Sequence, residues 1–190
     1  MKINTDKTKI IIFNKTGKVY KRDKFFINDK EIEIKNNHKY LGFLLDCNGN
    51  FNETMNDLAN KGKRALYSIY KLSTIEYVSI TTMLQVFETT IKPILLYGSE
   101  IWGYQSKIDN KIERVQTMFG KHILGVHRKS TNAAILGELG IRTLNIDMQT
   151  NALKFYDYLE QNKNDLIKDA LLENINNDTP WYRNIKTLKC

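Results

Sequence analysis

The 190-residue sequence has only two cysteines, Cys47 and Cys190, far apart in the chain. That usage excludes a disulfide scaffold and fits a reducing compartment. Long apolar runs are missing too: Ile94 to Tyr97, four residues, is as long as they become. A membrane span needs about 20, so no membrane partner is expected. The opening Met1-Lys2-Ile3-Asn4-Thr5-Asp6 lacks the apolar segment of a secretory signal. The expected location is intracellular, nuclear or cytoplasmic, and not secreted.

Signatures of chemistry are scarce. No G-x-S-x-G, G-x-x-x-x-G-K-S/T or G-x-G-x-x-G occurs, which removes common hydrolase, P-loop and dinucleotide motifs. His122 and His127 are five apart, so one helical face cannot present both to zinc. Asp46, Asn48 and Asn50 open like a calcium loop, but Phe51 stands where glycine is needed and Asp57 where a bidentate glutamate is expected. Asp46 to Asn52 reads instead as a strand-to-helix turn and cap. No closely spaced carboxylates on a strand offer a two-metal clamp. No cofactor is expected for this chain alone.

What the sequence does have is positive charge: 29 Lys+Arg against 21 Asp+Glu, a net +8. The excess is uneven. Residues 1–46 carry +5 and residues 105–145 carry +4, while 47–104 are neutral and 146–190 carry −1. Two basic blocks are what contact with a polyanion requires. However, 23 of the bases are lysine, and lysine's A/T-rich codons offer a compositional origin for the same excess.

The first quarter reads as β. Lys9 to Phe13 is a β-branched run, Phe25 to Ile27 leads into the turn pair Asn28-Asp29, and Glu31 to Ile34 alternates polar with apolar. Tyr40 to Leu45 is apolar on both faces and is expected to be buried between layers. The four strands together predict a small, mostly antiparallel sheet.

From Asn52 the period becomes helical, with Met55, Leu58, Ala59, Gly62, Ala65, Leu66 and Ile69 on one face. A second helix is predicted from Ser79, broken by Pro93 and resumed through Trp102. A third runs from Ser106 to Leu124 and is closed by Gly125. Three more are expected, near 131–140, 145–159 and 164–175, with Pro180-Trp181-Tyr182 opening a tail that either frays or docks. The fold class is α+β: a small N-terminal antiparallel sheet over residues 1–50, a helical bundle over 51–145 and a helical extension over 146–190.

The third helix has two faces. Ile108, Ile112, Val115, Phe119 and Ile123 fall within about 80° of one another. Lys107, Lys111, Arg114 and Lys121 fall in a separate arc of similar width, joined by Arg128 if the helix persists. A row of cations suits a phosphate backbone, whose counterions it releases. It also suits an ordinary solvated face.

These residues resemble the C-terminal portion of a reverse transcriptase from a non-LTR (LINE-type, jockey-like) retrotransposon. Asn4-Thr5-Asp6-Lys7-Thr8 is similar to that family's N-x-x-K-T palm element, motif D. His38-Lys39-Tyr40-Leu41-Gly42 resembles its Y-L-G primer grip. Lys92 to Trp102 is similar to its P-x-L-x-Y-G-S-E-x-W thumb signature. Ile112-Glu113-Arg114-Val115-Gln116, Ile123 to Val126, and Gly137 to Gly140 follow in the family's order.

The resemblance implies a residual palm at 1–50, a thumb-like bundle at 51–145 and an extension at 146–190. The family's magnesium-holding aspartates lie upstream of motif D, so the chain is expected to be a catalytically incomplete fragment, with Mg²⁺ implied only for the complete polymerase. Lys7 then stands where a general acid for pyrophosphate would, although it also reads as a surface lysine at a strand start. Tyr40, Leu41 and Gly42 would form the primer grip, with Leu41 also readable as core strand. For Tyr97, Gly98 and Trp102, packing is favoured over base stacking. The resemblance implies a clamp on an RNA–DNA or DNA duplex bound without sequence preference; the basic row itself, not the family pattern, points to Lys107, Lys111, Arg114, Lys121 and Arg128 as the residues that would hold it. The missing palm and fingers would be the protein partner. The alternative is a helical interaction module, or a decayed or domesticated remnant without polymerase function.

Overall fold

The computed structural model describes residues 4, 7–13, 24–73, 78–105 and 111–190. The chain forms two compact units, Met1–Met55 and Asn56–Cys190.

In the first unit, β1 (Phe25–Ile27) and β2 (Lys30–Ile32) form one antiparallel hairpin, and β3 (Asn37–Tyr40) and β4 (Phe43–Asp46) form another. The expected single sheet is therefore two separate two-stranded ones. Asn28 and Asp29 both take positive φ, 48° and 60°, so this predicted turn has the twist that a two-residue hairpin needs. Ile32 is buried between exposed Glu31 and Glu33, as the alternation requires. Lys9 to Phe13 is not a full strand. Only Ile10 pairs, in a parallel bridge with Ile34, and the Lys9 ammonium beside Glu33 holds that carboxyl below the usual range.

Tyr40 to Leu45 is the main correction to the sequence reading. The chain turns over at Leu41 (φ 48°) and Gly42 (φ 83°), so half of the presumed buried strand is a hairpin tip. The predicted turn and cap after β4 is present. Asn48 N–H donates to Asp46 Oδ1 at 2.9 Å, and Asn52 N–H donates to Asn50 Oδ1 at 2.8 Å.

Helix α1 (Asn52–Ser73) follows. Leu58, Ala59, Leu66 and Ile69 are buried as its period demands. Gly62 lets α1 approach closely, because a Cβ there would run into the Leu95 side chain. Ser79 caps α2 (Ile80–Val86), accepting from Thr82 N–H at 3.1 Å. Pro93 lacks an N–H, and its ring would press on the carbonyl four residues back. The chain responds with a π turn over Phe87–Ile91, in which Lys92 N–H donates to Phe87 O, five residues back. The helix predicted through Trp102 is split by Gly98, at φ 70°, into α3 (Lys92–Leu95) and α4 (Ser99–Trp102).

Helix α5 (Lys111–Ile123) buries Ile112, Val115 and Phe119, three of its five predicted core residues. Ile123 is half-buried, and Ile108 lies outside the described residues. Gly125 ends α5 in a Schellman motif: Val126 N–H donates to Lys121 O and Gly125 N–H to His122 O, both at 3.1 Å. Then come α6 (Asn132–Leu139), α7 (Leu144–Gln161), α8 (Asp165–Asn176) and α9 (Pro180–Lys189). The tail therefore docks as a helix. Tyr156, Leu171 and Ile185 join α7, α8 and α9 in their own apolar cluster, and Trp181 Nε1–H donates to Glu100 O at 2.8 Å. The α+β class holds, and residues 56–190 make one unit across the boundary expected at 145. Among the described residues, no helix is long and apolar enough to cross a membrane.

Candidate nucleic-acid interface

The charge row on α5 is shaped by what the helix does with its acid. Glu113 is buried, and its Oε2 accepts from Leu144 N–H, at the start of α7, at 3.0 Å. Thr143, the residue at the α7 cap position, makes no side-chain cap bond, so a carboxylate from α5 meets the exposed amides and positive end of α7 instead. Gln116, one turn on, donates from Nε2 to Arg142 O at 2.8 Å. Glu113 and Gln116, two of the three polar residues of the Ile112-to-Gln116 motif, thus face inward to hold the loop before α7. Arg114, between them, is left on the exposed side.

That side opens into a groove of about 530 Å³. Its cations are Arg114, Lys121 and Arg128, three of the five predicted contact residues. The loop after Gly125 brings Arg128 back over the helix end, and Lys121 Nζ donates to Arg128 O at 2.9 Å. Lys121 still has further donors, because an ammonium carries three. Lys111 is exposed on the same helix but does not line the groove. Lys107 lies outside the described residues.

The sequence reading missed the rest of the lining. Tyr70 from α1 and His122 from α5 stack with ring centroids 3.7 Å apart, beside Thr117 and Asn132. Tyr70 O–H donates to Met118 O at 3.2 Å. Burial, and then the neighbouring Tyr67, push the Tyr70 phenol up to about 12, so it remains a neutral donor at physiological pH. A signal did exist: Arg114, Met118, Lys121 and His122 follow the i, i+4, i+7, i+8 spacing of one helical face. Weighing His122 only as a zinc ligand hid it.

The other predicted positions lie elsewhere. Tyr40 and Leu41 are 61% and 75% exposed at the tip of the β3–β4 hairpin, so the reading of Leu41 as core strand is wrong. Leucine there also takes a left-handed conformation that L residues seldom adopt. Lys7 is exposed on a turn, where its N–H donates to Asn4 Oδ1 at 3.3 Å. Thr8 donates to Asn4 O through both N–H and hydroxyl, at 3.1 and 2.8 Å. The Asn-x-x-Lys-Thr spacing therefore has a local use as a turn, separate from any chemistry of Lys7.

In the thumb-like signature, Trp102 is fully buried and donates from Nε1 to Tyr97 O at 2.9 Å. Buried Ser99 accepts at Oγ from Asn151 Nδ2 at 2.9 Å. Gly98 supplies the left-handed turn between Tyr97 and Ser99. Tyr97 is half-exposed. Trp102 packs in the core, and Gly98 provides the turn.

Among the described residues, no group of three or more His, Cys, Asp or Glu is disposed to hold a metal ion. No protein-family model, curated protein or solved structure matches the chain.

Proposed function

We propose that this chain is a fragment of a non-LTR reverse transcriptase whose helical unit clamps the phosphate backbone of a nucleic-acid duplex. The observation that carries the reading is the convergence of Arg114, Lys121 and Arg128 on one groove while Glu113, the acid of the same helix, is buried. Guanidinium groups bind phosphate oxygens in bidentate fashion, and an ammonium adds a point charge. Contacts of this type fix position without reading sequence. The ordered sequence motifs support the reading from the other side. Tyr40, Leu41 and Gly42 act in it as the primer-facing hairpin tip, and Lys7 as a general acid only alongside an upstream palm.

The test is binding of a fluorescent RNA–DNA hybrid across a salt series. Affinity is expected to fall steeply with salt, log K against log salt having a slope of about −0.9 per phosphate contact. The triple variant K111E/R114E/R128E is expected to bind on the order of a hundred-fold more weakly at about 0.1 M salt, with a shallower slope. Binding indifferent to both salt and these substitutions would refute the clamp. Primer extension with Mg²⁺ and dNTPs is expected to be absent, and extension by this chain alone would refute the fragment assignment.

A further inference from the structure

Backbone phosphates do not explain the whole lining of the groove. Three cations would suffice for a polyanion, yet beside them lie a stacked aromatic pair, an amide and an apolar patch. We infer that the groove accepts one unpaired nucleotide, with its phosphate against Arg114 and Arg128 and its base in the Tyr70–His122 portion. The inference rests on the clamp reading and adds a ligand class to it, a strand end or overhang.

Size is the first argument. A volume of about 530 Å³ lies within the range of small-ligand sites and is far more than a phosphate alone would use. The composition of the lining is the second. Single-strand sites combine a basic track with aromatic rings on which bases stack. His122 is exposed, and Tyr70 backs its ring at 3.7 Å, so stacking fixes the plane of the imidazole before any ligand arrives. Tyr70 is itself anchored, its hydroxyl held by Met118 O. Met118 and Val126 supply apolar wall. Asn132, with donor and acceptor on one amide, and the Thr117 hydroxyl can meet a base edge.

Position is the third argument. Arg128 and Val126 both belong to the loop that the Schellman motif at Gly125 folds back. Lys121 Nζ pins that loop through Arg128 O at 2.9 Å. The phosphate-binding and base-binding parts are therefore held together by one short, hydrogen-bonded segment.

The experiment compares a blunt RNA–DNA hybrid with the same hybrid carrying a short 3′ overhang, and with one whose overhang is abasic. The three probes separate base from phosphate, because the abasic overhang keeps its charge. The overhang is expected to bind about ten-fold tighter than the blunt hybrid, in keeping with one stacked base, and the abasic overhang to lose most of that gain. His122→Ala is expected to bring the overhang-to-blunt ratio close to one, and Asn132→Ala to lower it. Circular dichroism confirms that each variant is folded. Equal, salt-sensitive binding of all three probes would overturn the nucleotide site and leave the backbone clamp standing. Absence of binding to any of them would overturn both.

Discussion

Replacing Trp102 with alanine is expected to lower the unfolding free energy of the helical unit by about 3–5 kcal/mol. The side chain is fully buried, so truncation removes a large apolar surface and leaves a cavity. It also removes the indole N–H that donates to the Tyr97 carbonyl at 2.9 Å. That carbonyl immediately precedes Gly98, at φ 70°, the residue that turns α3 into α4. The indole therefore closes the corner as well as filling it. Trp102→Phe separates the two roles: it keeps most of the apolar volume but loses the hydrogen bond, and should cost about 1–2 kcal/mol. Urea unfolding followed by far-ultraviolet circular dichroism gives both values. A loss below about 1 kcal/mol for Trp102→Ala would mean that the corner is held by other contacts.

The run Lys92 to Trp102 resembles a reverse-transcriptase thumb signature, and several of its side chains here serve the fold. Leu95 and Trp102 fill the core, Ser99 accepts from Asn151, and Gly98 makes the turn. Residues that make a sequence pattern recognisable can thus be the ones that build a corner. Only Arg114 and Val126 belong both to a motif and to the groove lining.

The helical periods were legible because core burial imposes them. The apolar face of α1, the Ser79 cap, and the Gly125 and Gly140 stops were all in the sequence. Two features were not. Tyr40 to Leu45 reads as a continuous apolar strand, since leucine at the first turn position is not among the residues such hairpins favour; Gly42 was the remaining clue. The groove is harder to see in principle. Tyr70 and His122 are 52 positions apart, and their stacking depends on where α1 and α5 pack. Arg128 reaches the groove only because the chain reverses after Gly125. Local periodicity places the side chains of one helix, but it says nothing about which second helix completes the wall.

Asp147→Ala is expected to cost about 2–3 kcal/mol, less than a fully buried pair would. The Asp147 side chain is only 7% exposed and lies between two cations. Lys92 Nζ stands 2.9 Å from Oδ2, and the Arg142 guanidinium binds Oδ1, its Nε at 2.8 Å. Removing the carboxylate leaves a largely buried ammonium with Glu88 alone, also at 2.9 Å, which is why the full penalty is not reached. Lys92 also supplies a pH signature. Burial pulls its ammonium down, but the hydrogen bonds it donates to Glu88 and Asp147 outweigh burial and hold it above the ordinary 10.5. A raised folded-state value means that the stabilisation is fully present at neutral pH and is lost as pH rises through that value. The stability gap between wild type and Lys92→Met should therefore be constant near neutrality and shrink above about pH 10.5, measured by urea unfolding at each pH. A gap that widened there would contradict the assignment. Lys92 and Arg142 are engaged with Asp147, and neither lines the groove that Arg114, Lys121 and Arg128 share.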